Sequence, residues 1–231
     1  MEAVGIRKNY GKKSVLKSVS FVAQEGKCTG FIGANGCGKS TLFRILAGVE
    51  KADGGNISIR GKAISKPDRE LAKYVGYIPQ DNALMKDLTV KDNLTLYSSL
   101  CREKIDQGYV KELCERFSIK EFEKEKVSRL SGGMTKRVSI VCALLHSPDI
   151  LIMDEPSASL DLLFKEELKR YIREFTASGG SVLISSHDQG EIQQCDRLFA
   201  IRDGVAKEIA SSLSIDKIVA CYIKRDEQVS L

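Results

Sequence analysis

Long hydrophobic runs are missing from this 231-residue chain. Although 42% of its residues are apolar, no stretch approaches the ~18–20 uninterrupted apolar residues of a membrane span, and the sequence reads as soluble. The opening segment, "MEAVGIRKNYGKKS", has no apolar centre of the kind a secretory signal carries, which makes the cytoplasm the expected compartment. Histidine is scarce. The chain has two, neither at ligand spacing from a cysteine, and this argues against a zinc site. Cysteine is present seven times, but the odd count and the lack of a CxxC pair fit reduced thiols rather than a disulfide framework. Neither charge sign dominates: the net charge of +5 is mild, allows contact with nucleic acid or an anionic membrane surface, and is read first as a solvated basic surface; no nucleic acid partner is expected. Internal repeats, low-complexity tracts and long linkers are also lacking.

What the chain does have is strand-like and helix-like segments in a particular order. Short strand-like runs come first, "AVGIR" at 3–7, "SVSFVA" at 18–23 and "TGFIG" at 29–33. Later come "DILIMD" at 149–154 and "SVLISS" at 181–186, nearly continuous apolar runs that suit strands buried on both faces of a parallel sheet. Between them, from about Asp87 to Leu145, lies a charged, helix-patterned region. In "ASLDLLFKEELKRYIREF" the apolar residues Leu160, Phe164, Leu168, Tyr171, Ile172 and Phe175 fall on one helical face. The expected architecture is an α/β core interrupted by a mostly helical insert.

Two segments carry chemistry. Gly33, Ala34, Asn35, Gly36, Cys37, Gly38, Lys39 and Ser40 form a G-x-x-x-x-G-K-[ST] loop, preceded by "TGFIG" and leading into "STLFRILAG", a helical stretch that starts with Ser40 and Thr41 and is closed by Gly48. The strand-then-helix context is the one this motif requires. Its backbone N–H groups can close around phosphates, Lys39 can neutralise the β and γ charges, and the Ser40 hydroxyl can bind magnesium. A chance match is expected in roughly one chain in a hundred of this length. "ILIMDEPSASLD" at 150–161 then supplies carboxylates. Asp154, closing an apolar strand, can reach the magnesium shell, and Glu155, at the turn that follows, can face the γ-phosphate and polarise the attacking water.

A third segment, "LSGGMTKR" at 130–137, sets two glycines behind Ser131 at the expected start of a helix. Glycines there favour helix poorly but bare backbone N–H groups at the positive end of the helix dipole, a second anion cradle.

With these motifs in this order, the chain resembles, end to end, the ATP-binding subunit of an ABC transporter, most closely the small exporter-type subunits of bacteria. The resemblance implies a P-loop NTPase core, with a mostly parallel sheet and an N-terminal antiparallel β subdomain, plus an inserted α-helical subdomain. It implies one ABC ATPase domain over 1–231, with 1–80 and 146–231 as the catalytic core and 81–145 as the helical subdomain. ATP and Mg2+ are the implied cofactors. In this family the "LSGGQ" signature of one subunit closes on ATP held by another, so Ser131, Gly132 and Gly133 are expected to bind a partner's nucleotide in an ATP-dependent homo- or heterodimer. Met134 replaces the usual Gln, as it does in relatives similar to drug and polysaccharide exporters.

Further positions follow from the same resemblance. Tyr10 matches the aromatic that stacks on adenine. Gln80 matches the glutamine that reaches the γ-phosphate and magnesium, and His187 the histidine that contacts the γ-phosphate. Asp161 is the acid of the loop that touches the partner. Cys37 is tolerated filler or a modifiable thiol. The metal is expected on Ser40, Gln80 and Asp154, and catalysis on Lys39, Glu155 and His187. A membrane-spanning permease is the implied partner, holding the subunit at the inner face of the cell membrane, with contacts near Gln80 to Leu100. The segment "SSLSIDKIVACYIKRDEQVSL" is expected to leave no room for a sizeable regulatory domain.

Other classes fit less well. A ribosome-associated soluble ABC ATPase usually carries two cassettes, and a chromosome-structure ATPase separates its halves with long heptad coiled coil; here only residues 40–130 lie between Lys39 and Ser131. A self-contained P-loop kinase or GTPase has neither the signature nor the "SASLD" loop. A stand-alone soluble ATPase with a regulatory or translation-associated role remains the alternative reading.

Overall fold

The strands "TGFIG", "DILIMD" and "SVLISS" assemble side by side. In the computed structural model, which describes residues 1–101 and 105–210, they are β3 (Cys28–Ile32), β7 (Ile150–Asp154) and β8 (Ser181–Ser185), each buried along its whole length. β3 pairs in parallel with β8, and β8 with β7. On the outer side of β7 lies β6 (Val75–Ile78), also parallel, and on the far side of β3 lies β9 (Arg197–Arg202).

Successive strand residues point to opposite faces, and here the alternation separates two cores. Leu151, Met153, Val182, Ile184, Leu198 and Ala200 enter one apolar cluster, while Ile150, Ile152, Leu183, Phe199 and Ile201 enter the other. The first cluster is covered by α6 (Leu162–Ala177) through Leu168, Tyr171 and Ile172, and by α4 (Gln107–Arg116) and α5 (Gly132–Leu144) of the helical insert. The second is covered by α1 (Lys39–Leu46), whose Phe43 meets Phe31 edge-on at 5.5 Å. α3 (Val90–Leu100) starts at a capping box in which Thr89 and Asp92 satisfy each other's backbone N–H groups.

An antiparallel arm extends the sheet. With β10 (Val205–Ile209), the strands β1 (Glu2–Tyr10), β2 (Lys13–Val22), β4 (Gly54–Ile59) and β5 (Lys62–Ala63) complete the order β5-β4-β1-β2-β10-β9-β3-β8-β7-β6. β1 carries irregularities against β2 between Ala3 and Ile6, Ile6 and Lys8, and Lys8 and Asn9. Antiparallel pairing is not confined to the N-terminal part: β10 folds back on β9 and joins the arm through Val205 opposite Ser18. Phe21 of the arm packs on Phe31 and Phe199 of the core. Among the described residues no helix is long and apolar enough to cross a membrane. The expectation made for 211–231 lies outside the described residues.

Candidate functional site

Four neighbouring parallel strands end on one edge, and each delivers sequence-marked residues there. β3 runs into the phosphate loop, β7 into Asp154 and Glu155, β8 into His187 and β6 into Gln80. Ligands of open α/β sheets bind outside the carboxyl ends of the strands. A cavity of about 640 Å³ opens at this edge, lined by Tyr10, Asn35, Gly36, Gly38, Lys39, Ser40, Thr41, Gln80, Glu155 and His187, together with Lys13 and Val15. The last two were not marked by the sequence.

The loop is built to aim Lys39. Gly38 caps α1 with a φ of +111°, and a Cβ there would come within 2.8 Å of Leu16 Cδ2, so only glycine fits. Lys39 is buried, and its ammonium donates to the carbonyls of Gly33 at 2.7 Å and Ala34 at 3.4 Å. This ties the charge back to the first two residues of the loop. Cys37 is half-buried and packs against the second core cluster.

At the end of β7 the strand alternation breaks. Glu155 has a left-handed backbone, φ +47°, which costs about 1–2 kcal/mol for a residue with a side chain. Its N–H is held by the Ser185 carbonyl at 3.0 Å and the Ser185 hydroxyl at 3.3 Å. The turn swings its carboxylate into the cavity, with Oε1 3.5 Å from His187 Nε2. Asp154, buried, takes a short hydrogen bond from the Ser185 hydroxyl on Oδ1, while Oδ2 has no hydrogen-bond partner. Ser185 is thus a supporting residue that sequence reasoning missed, because "SVLISS" signalled only a strand.

Asp154 lies below the phosphate edge, lining an adjoining groove with Ser40 and Gln80. Beyond His187, Asp188 caps α7 (Gln189–Gln193) and pairs with Lys165 at 3.1 Å. Glu191 is buried and accepts a short hydrogen bond from Ser186; burial pushes its carboxyl above the ordinary range.

Tyr10 stands at the rim of the cavity, 44% exposed, its hydroxyl bonded to Glu50 and its ring 5.5 Å from the Lys8 ammonium.

Ser131, Gly132 and Gly133 are not among the residues lining this cavity. They form the N-terminus of α5, where the exposed Ser131 caps the helix by accepting from the Met134 N–H at 3.2 Å. Met134 lays its side chain against the first core cluster. Both glycines face Ser159 of the "SASLD" loop, and a Cβ on Gly133 would sit 2.8 Å from the Ser159 carbonyl oxygen. Arg137 reaches across to Asp161 at 2.8 Å. The signature and the loop after Asp154 are therefore packed against each other within one chain.

Comparison with known proteins finds relatives along most of the chain. A family profile described as ABC transporter matches residues 16–158. The chain is 34% identical over 209 residues to a linearmycin resistance ATP-binding protein of Bacillus subtilis, covering 88% of this chain and 67% of that protein. It is 34% identical over 223 residues to a Nod factor export ATP-binding protein of Paraburkholderia xenovorans, covering 92% of this chain and 72% of that one. It thus spans about two thirds of the length of such relatives. Among solved structures, it superposes with a TM-score of 0.82 and 27% identity on the ATP-binding subunit of an ABC transporter, over 95% of this chain and 91% of that one. A dimeric cassette in a post-hydrolysis state with ADP and Pi gives a TM-score of 0.79 at 25% identity, over 93% of this chain and 100% of that one.

Proposed function

Starting from a chain that belongs to the ABC transporter family as an ATP-binding, ATP-hydrolysing subunit, we propose that it works as one half of an ATP-closed dimer that drives export through a membrane-spanning permease. The observation that carries the proposal is the separation of its two anion cradles. Tyr10, the phosphate loop, Gln80, Glu155 and His187 share one cavity, while the exposed helix start at Ser131 stands outside it. A cavity that has its base but not its second cradle is complete only when a second cassette brings that cradle over it.

In this reading Asn35, Gly36, Cys37, Gly38, Ser40 and Thr41 wrap the β- and γ-phosphates, with Gly33 opening the loop. Lys39 exchanges its carbonyl partners for phosphate oxygens, and the Tyr10 ring takes the adenine. Glu155 takes the proton of the water that attacks the γ-phosphorus as ADP leaves, and His187, beside it, holds the γ-phosphate. The residues present also fit a hard cation: Ser40, Gln80 and Asp154 offer oxygens only, and Asp154 Oδ2 is buried and unpartnered. Magnesium bound there would neutralise charge between the β- and γ-phosphates. Ser131 and the Gly132 and Gly133 amides serve the partner's nucleotide.

The division into 1–80 with 146–231 and an 81–145 helical part belongs to the same reading, supported by the placement of α3, α4 and α5. So does attachment at the inner face of the membrane. Export is favoured by relatives named for Nod factor export and linearmycin resistance; the stand-alone soluble alternative is not.

The test uses Glu155→Gln to slow hydrolysis while ATP binding is kept. Size-exclusion chromatography with ATP should show a dimer, and adding Ser131→Arg should remove it without changing ATP affinity. A dimer that persists in the Ser131→Arg variant overturns the composite site.

A further inference from the structure

Lys136 has no part in the site as described, and its surroundings are unusual for a lysine. It lies five residues beyond Ser131 on α5 and is only 2% exposed. Burial weakens its hold on a proton, and keeping a charge out of water is costly. An apolar residue of similar length would pack there without that cost. Its ammonium bonds two backbone carbonyls, Pro79 O at 2.9 Å and Gln80 O at 3.2 Å.

Those two carbonyls belong to the peptide planes on either side of the Gln80 Cα. Peptide units are rigid planes, and the only soft torsions between these two are φ and ψ of Gln80. Anchoring both planes to one ammonium fixes those torsions and, through them, the direction of the Gln80 side chain. The anchor itself rides on the helix whose first turn is Ser131, Gly132 and Gly133. We infer that Lys136 is a positioning residue: it aims Gln80 at the nucleotide and ties that aim to the helix carrying the signature, so the two half-sites of one chain move together. The inference rests on the reading of Gln80 as a γ-phosphate and magnesium contact.

The test is a double-mutant cycle on the full chain. Lys136→Met removes both hydrogen bonds at nearly constant volume. Lys136→Ala leaves room for water to solvate the two carbonyls, which keeps a foldable variant available. Supporting groups of this kind are worth about 10–100-fold, so each variant, like Gln80→Ala, should lower kcat by about 10-fold. The half-saturating magnesium concentration should rise by a similar factor. Affinity for an N-methylanthraniloyl ATP analogue without magnesium should stay within about 2-fold, because the phosphate loop is untouched. Combining Lys136→Ala with Gln80→Ala should cost no more than Gln80→Ala alone, and Lys136→Arg should restore much of the loss.

A combined loss of about 100-fold, the product of the single effects, overturns the inference, as does wild-type turnover and magnesium dependence in Lys136→Ala. If Gln80→Ala itself changes neither kcat nor magnesium dependence, the reading of Gln80 fails separately. Lys136→Ala must then also be silent, and any loss it shows counts against the tether.

Discussion

Replacing Gly133 with alanine sets two effects of known sign against each other. Alanine favours a helix over glycine by at most about 1 kcal/mol, less in a first turn. Against this, the new Cβ would sit 2.8 Å from the Ser159 carbonyl oxygen, with the Ser159 backbone carbon at 3.8 Å and Leu160 Cα at 4.0 Å. The approach to oxygen is too close for ordinary contact, and the atom that must yield is backbone. Ser159 already holds φ at +71°, so its peptide has little slack. Relieving such overpacking costs about 1–3 kcal/mol. Gly132→Ala is the internal control: it gains similar helix propensity but meets only Ser159 Cβ at 3.3 Å and Oγ at 3.5 Å. Gly133→Ala should therefore be less stable than Gly132→Ala by about 1–2 kcal/mol, which for a chain of this size lowers the melting temperature by about 2–8 °C. Differential scanning calorimetry of the two variants in one buffer reads the difference directly. A Gly133→Ala protein that melts at or above Gly132→Ala would show that the close approach to Ser159 does not constrain the signature, and the glycine would then have to be explained by phosphate binding alone.

Two other perturbations probe the chain more simply. Lys39→Ala removes the one buried cation of the phosphate loop; calorimetric titration should show ATP affinity falling at least about 10-fold and hydrolysis reaching background, and normal turnover would remove Lys39 from the site. Glu191→Gln tests a buried carboxyl whose pKa burial raises above the ordinary 4.5. The folded protein holds this proton more tightly than the unfolded chain, so stability falls as pH rises from about 4.5 through the raised value. Glutamine keeps an acceptor for Ser186 without titrating, and its melting-temperature difference from wild type should shift in the variant's favour across that window; a difference constant with pH would refute the assignment.

The parts of the fold that could be read from sequence are those buried on both faces. β3, β7 and β8 appear as apolar runs because every residue is covered, and α6 shows its Leu168, Tyr171 and Ile172 face at helical spacing. β6 is only four residues long and contains Gly76, and β10 is largely exposed, so neither carries a pattern strong enough to stand out. The phosphate loop was visible because it is local. Lys136 was not, since a lysine on a helix ordinarily reads as solvated and its partners lie on β6's far loop. For Glu155 the turn after the strand was readable, but not the left-handed backbone, φ +47°, that brings its carboxylate to the cavity.

The two-sided burial of the central strands also governs which changes of chain length this fold can absorb. Side chains in 150–154 and 181–185 alternate between two separate cores, so deleting one residue would send each apolar group into the wrong core and turn the residues beyond away from the phosphate edge. Their reading frame is closed to insertion and deletion. β1 already breaks its register several times before Tyr10, and bulges accommodate an extra residue at the cost of a local bend. Length drift over generations is therefore expected to collect in the arm, where it displaces a rim residue, while the spacing from β7 to Glu155 and from β8 to His187 stays fixed.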